Sequence, residues 1–160
     1  PKLSANIESP TLNYSYNTKL GTFAMDSELQ FDGNQLSWYD NMSDGSQSLR
    51  ESWDAVSGPW RNGSLPEGQY SATNLRPRTN LRMVRDGVGF SVDIEPQFTT
   101  ARNFLRIHPD GHSKGLWWLN NGTEGCIGLQ TGGNALKNFS NQISNYFTRV
   151  NSSINLFVNY

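Results

Sequence analysis

The one cysteine of this chain, Cys126, and its two histidines, His108 and His112, all fall within the stretch from Arg106 to Leu129. Cys126 lies in Gly-Cys-Ile-Gly, where glycines let the backbone turn tightly and leave a sulfur and nearby amides open to a reacting group. The histidines precede it by 18 and 14 positions, enough chain for a strand end, a loop and a return to the same place. Thiol and imidazole together suit acyl transfer: the imidazole draws the proton from sulfur, and the thiolate attacks a carbonyl. Each residue also has a plainer reading, because a lone cysteine is more often a small buried hydrophobe and a lone histidine more often surface or satisfied core. Their clustering in one glycine-rich segment is what favours chemistry. Papain-like enzymes need a histidine well downstream of the nucleophile, and none follows Cys126. Chymotrypsin-like cysteine proteases place it far upstream on a separate barrel, farther than either histidine here.

The elements that must position these residues read as mainly β. Phe104 to His108 alternates, predicting a strand that ends at His108 with Arg106 on the same side. Phe90 to Ile94 alternates as a half-buried strand ended by Pro96. Trp117 and Trp118, between histidine and cysteine, are read as packing residues, with a lid over the site as the lesser alternative. After Gly132-Gly133, Asn134 is the expected N-cap of an amphipathic helix carrying Leu136, Phe139, Ile143, Phe147 and Val150 on one face. Ile154, Leu156, Val158 and Tyr160 then alternate as a final strand.

Towards the N-terminus, residues 1–26 are polar and asparagine-rich, with weak alternation at Leu12, Tyr14 and Tyr16, and read as an extended arm before a single domain over 27–160. Asp32-Gly33-Asn34 between two alternating runs predicts a hairpin, since Asp-Gly supplies the positive φ a tight turn needs. Ser48 to Val56 reads as a short helix or a loop. Ser57 to Ser64 is dense in turn formers, and Leu65 to Tyr70 leads into a strand. Arg76, Arg78, Arg82 and Arg85 are first a solvated charged face; the alternative is carboxylate recognition, which a planar guanidinium suits.

At the catalytic stretch the sequence resembles the L,D-transpeptidase catalytic domains of bacterial cell-wall enzymes. Their signature is a histidine, a spacer of fourteen to seventeen residues, then Ser/Thr-His-Gly-Cys. Here His108 is followed by fourteen residues and then Thr123, Glu124, Gly125 and Cys126, a spacing that His112 does not meet. Glu124 stands where most members have histidine, and Gly128 where many have arginine. The glutamate variant is associated with antibacterial toxins, including type VI secretion effectors. A Pro-x-Gly-x-Tyr segment, here Pro66 to Tyr70, extends the likeness over about residues 27 to 130. The resemblance implies a β-sandwich with one C-terminal helix, a Cys126 nucleophile, His108 as base, and an oxyanion hole from the amides of Gly125 and Cys126. It makes Glu124, Thr123, Arg106 and His112 candidates for binding substrate or orienting the base, with His112 the alternative base. Glu124 would tend to raise the thiol pKa unless paired with a cation such as protonated His108 or Arg106. The substrate it implies is a peptidoglycan stem tetrapeptide, acted on in the bacterial periplasm, with a cognate immunity protein as partner if the chain is a toxin. A non-catalytic wall-binding module is the other expectation.

Composition narrows the field further. The 160 residues suit one domain that buries a core without metal or disulfide. With 13 basic and 14 acidic side chains there is no polybasic footprint for nucleic acid. No apolar run approaches the roughly 18 residues needed to span a bilayer. Two histidines and one cysteine are too few for a structural zinc, so no metal or cofactor is expected, and the protein is expected to be a monomer. The chain starts without a basic-then-apolar leader, which leaves a removed leader, another export route or an excised domain as equal readings.

Overall fold

The computed structural model describes residues 21–111 and 122–160. The strands run in chain order as β1 (Ala24–Phe31), β2 (Gln35–Met42), β3 (Gln47–Ser57), β4 (Gly68–Pro77), β5 (Val84–Arg85), β6 (Val88–Pro96), β7 (Arg106–Pro109), β8 (Ile127–Leu129) and β9 (Ile154–Val158), with one helix, α1 (Gly133–Arg149), before the last. Mainly β with one late helix and a final strand is therefore the architecture. The first strand takes in Ala24 to Asp26, so the domain begins earlier than the expected boundary at 27. Residues 1–20, with the alternation at Leu12, Tyr14 and Tyr16, lie outside the described residues.

The strands do not divide into two separate sheets. They form one ladder in the order β4-β9-β1-β2-β3-β8-β7-β6, and a further pairing of β4 with β6 closes it into an eight-stranded barrel. Closure depends on β4, which bonds β9 along one edge and β6 along the other. A bulge between Thr73 and Leu75, with Asn74 at φ 55°, bends that strand between its partners. β5 only prolongs β6 through a two-residue pairing. A barrel of eight strands has an interior just wide enough for side chains to fill. Leu29, Leu36, Trp38, Trp53, Tyr70, Val92, Ile107 and Ile127 fill it here, each almost fully buried.

The Asp32-Gly33-Asn34 turn forms as read, with Gly33 at φ 96° and the Asp32 carboxylate accepting the amides of Asn34 and Gln35. Ser48 to Val56, expected as helix or loop, is instead part of β3. Only its second half faces the core, with Trp53 and Ala55 buried; the first half is exposed on nearly every residue, so no apolar alternation marks it.

Helix α1 lays Leu136, Phe139, Ile143 and Tyr146 into the core, where Phe139 meets the rings of Trp53 and Phe90 and Tyr146 meets Trp38. Those rings come from β2, β3 and β6, so the helix lies across one opening of the barrel. The expected stripe needs two corrections: Tyr146 carries its C-terminal part, and Val150 is 61% exposed because the helix has ended. The N-cap is Gly132, not Asn134, and has no side chain to offer. Asp86 takes over the task from a distant turn, its Oδ2 accepting the Gly133 amide at 3.2 Å.

Candidate active site

β7 and β8 lie side by side and parallel, with Ile107 opposite Ile127 and His108 opposite Gly128. Alternation then decides which side chains meet. Ile107, Ile127 and Leu129 point into the barrel and are fully buried. Arg106 and His108 take the outer face of β7 and Gly128 that of β8, while Cys126 lies in the bend immediately before β8 with its sulfur towards the Arg106 amide. The Arg106 amide reaches the Cys126 sulfur, which sets the thiol beside the start of β7, the strand that carries His108 two residues on. The cysteine and the histidine expected to work together are thus neighbours beside one parallel strand pair. His112, Trp117 and Trp118 lie outside the described residues.

His108 is buried at 7% exposure, with Nδ1 2.7 Å from the carbonyl oxygen of Pro109. A carbonyl only accepts, so Nδ1 carries the proton and Nε2 keeps the lone pair. Burial pushes the imidazole pKa below its ordinary value; the Pro109 bond and the Asp110 carboxylate oppose this, while Arg106 adds to it. The resting ring is therefore neutral and able to act as a base. Burial likewise pushes the Cys126 thiol up, against the Arg106 amide aimed at the sulfur and the charges of Arg106 and Arg102, with Glu124 adding to the rise. The pair rests as thiol and imidazole, not as an ion pair.

Thr123 is a hub of hydrogen bonds within the turn. At 5% exposure, its hydroxyl donates to the Cys126 carbonyl at 2.5 Å and accepts the amides of Gly58 at 3.1 Å and Gly125 at 3.3 Å. One donor and two acceptor sites are then all in use. The same contact withdraws the Gly125 amide from the expected oxyanion hole. Main-chain bonds from Thr123 to the Gly58 carbonyl at 2.9 Å, and from Trp60 to the Thr123 carbonyl at 3.2 Å, tie this turn to the loop after β3.

Glu124 is half exposed and pairs with Arg61 at 3.2 Å and Arg82 at 3.5 Å, not with His108 or Arg106. Arg106 instead faces Asp93, 3.5 Å from its Nε, and Asp93 also holds Arg76 at 2.8 Å. At Gly128 a Cβ would lie 2.7 Å from Thr123 Cγ2 and 3.0 Å from Asp110 Cβ, so the position is closely packed.

Two residues that sequence reasoning passed over belong to this surface. Asp110, 1% exposed, accepts the Gly122 amide at 3.1 Å and Gln130 Nε2 at 3.0 Å, which anchors the chain as it enters the Thr-Glu-Gly-Cys turn. Its signal was present in His-Pro-Asp-Gly, where an acid two places after the base falls on the same face. Arg102, from the loop between β6 and β7, lies against Gly125 and carried no local signal. Among the described residues no group of three or more His, Cys, Asp or Glu could hold a metal ion. None of the described helices is long and apolar enough to cross a membrane.

Fold and site together make a closed β-barrel with a histidine on β7 and a cysteine in the bend that leads into the neighbouring parallel strand β8. No family model matches this chain, and no curated protein matches it.

Proposed function

We propose that this protein is a cysteine acyltransferase of the L,D-transpeptidase kind, acting on peptidoglycan stem tetrapeptides. The observation that supports the reading is the position of Cys126 in the bend before β8, against the start of β7, the strand that carries His108, together with a sequence spacing like that of the family. In the proposed reaction His108 Nε2 takes the thiol proton as the sulfur attacks the carbonyl of the third stem residue at its L-centre. The C–N bond to the terminal D-alanine breaks, the imidazolium gives its proton to the departing amine, and a thioester remains on Cys126. Water, a free D-amino acid or an amine from a neighbouring stem then takes the acyl group, giving carboxypeptidase, exchange or cross-linking activity. A neutral resting pair suits this course, because the proton moves only when substrate arrives. With the Gly125 amide engaged by Thr123, the Cys126 amide is the donor proposed for the developing oxyanion.

The glutamate variant of the motif supports an antibacterial effector working in a competitor's periplasm, with an immunity protein in the producing cell; a housekeeping or phage cell-wall enzyme uses the same chemistry. One observation favours a second reading, a non-catalytic wall-binding module: burial raises the Cys126 thiol, as it does for an inert cysteine. Incubating the protein with disaccharide-tetrapeptide and following it by mass spectrometry separates them. Loss of D-alanine, or its replacement by added D-methionine, with the intact protein and not with Cys126→Ala, supports the enzyme. Absence of product from both, with retention of the protein on sacculi, supports the module.

A further inference from the structure

Arg102 has no place in the chemistry described so far, yet its guanidinium lies where three segments of the site meet. Its Nη1 donates to the Asn62 carbonyl at 2.5 Å, and Nη2 reaches the carbonyls of Ser64 at 3.2 Å and Gly63 at 3.5 Å. Nη2 is also 2.1 Å from where a Cβ on Gly125 would stand, so the guanidinium fills the space this glycine leaves open at φ 114°. The loop it grips is the one whose Gly58 and Trp60 bond Thr123. Ser57 fastens that loop as well, accepting the Leu65 amide at 2.8 Å and the Ser64 hydroxyl at 2.9 Å through its side chain and carbonyl respectively. A loop with so many main-chain carbonyls gathered on one cation is held in one arrangement. Arg102 is among the charges that favour the Cys126 thiolate.

We propose that Arg102 is a positioning residue for Cys126: it clamps the Asn62–Ser64 carbonyls onto the Gly125–Cys126 turn and sets a fixed cation near the sulfur as it becomes a thiolate. The proposal rests on Cys126 being the nucleophile. Glycine at 125 is then needed for a reason beyond its backbone angle, since any side chain there displaces the guanidinium. Arginine rather than lysine is needed because only a planar fork reaches three carbonyls at once.

The test uses the single cysteine, which makes alkylation by iodoacetamide report on Cys126 alone. Rates are measured against pH for the intact protein, Arg102→Gln and Arg102→Lys, alongside D-alanine release from tetrapeptide and far-UV circular dichroism. Arg102→Gln is expected to move the alkylation profile to higher pH and slow it about three- to tenfold near neutrality. Arg102→Lys is expected to keep most of the alkylation rate, because the charge remains, and to lower kcat for D-alanine release at least tenfold, because the clamp is lost. A folded Arg102→Gln with the alkylation profile of the intact protein overturns the proposal. If that variant does not fold, Arg102→Lys decides: wild-type kcat from it overturns the clamp. Should the intact protein release no D-alanine, the functional reading fails, and the alkylation profiles still decide what Arg102 does to the sulfur.

Discussion

Thr123→Val separates a structural hydroxyl from one that meets substrate. Valine has nearly the same shape, so the change opens no cavity, but it removes every hydrogen bond of the Thr123 Oγ1 hub. The Gly58 and Gly125 amides lose their acceptor and the Cys126 carbonyl loses a donor, all in a buried turn. Each buried group left unsatisfied costs about 1–3 kcal/mol. Taking the lower end for each, because the Gly125 contact is long, the loss is about 3 kcal/mol. For a chain of this size that is about 6–12 °C in Tm. Thr123→Ser keeps the hydroxyl and gives up one methyl, at about 0.8 kcal/mol. Urea and thermal unfolding of the three proteins measure the difference. If valine lies within about 0.5 kcal/mol of the parent, or serine proves worse than valine, the hub does not exist as described.

Other expectations follow from the same surface. Gly128→Ala forces its Cβ against Thr123 and Asp110 and should cost about 1–3 kcal/mol in urea unfolding, while arginine there should prevent folding; an unchanged Tm for the alanine variant contradicts the packing. Glu124→Gln breaks only exposed ion pairs, so stability should stay within about 0.5 kcal/mol. It removes a charge that raises the Cys126 thiol, so alkylation at fixed pH should be faster; slower alkylation refutes the assignment. For His108 the folded pKa is lowered, so the unfolded chain binds the proton more readily. Its contribution to stability is whole above the ordinary value of about 6.5 and is lost as pH falls below it. For Cys126 the folded pKa is raised, so its contribution is whole below about 8.5 and is lost as pH rises. Unfolding free energy should show a plateau between those limits, and His108→Gln should flatten the acid side; an acid limb unchanged in that variant assigns it to other groups.

Legibility in the sequence followed the range of the interactions involved. Where neighbours in the chain decide the structure, as in the Asp32-Gly33-Asn34 turn, the alternation around Ile107, or the stripe of Leu136, Phe139 and Ile143, residue order was enough. Barrel closure was hidden because it needs β4 to bond on both edges, and no local pattern in Gly68–Pro77 marks its second partner. The cap on α1 was hidden because Asp86 reaches it from 47 positions away. In the site, spacing pointed to the pairing of Cys126 with His108, since two strand ends and a loop leave few ways to bring them together. What surrounds Thr123 and Gly125 was hidden, because the amide of Gly58 and the guanidinium of Arg102 each come from a distant segment.

The pairing of β4 with β6 has a consequence for recognition. A sheet with an open border can take up an extended peptide as one more strand, using its unpaired amides and carbonyls. Here the eight barrel strands each have a neighbour on both borders along part of their length, but among the described residues positions 47–54 of β3 pair with β2 alone, since β8 reaches only Ala55, Val56 and Ser57. An incoming peptide can therefore add as a strand only along that border of β3, and elsewhere on the ring it meets side chains and loop ends.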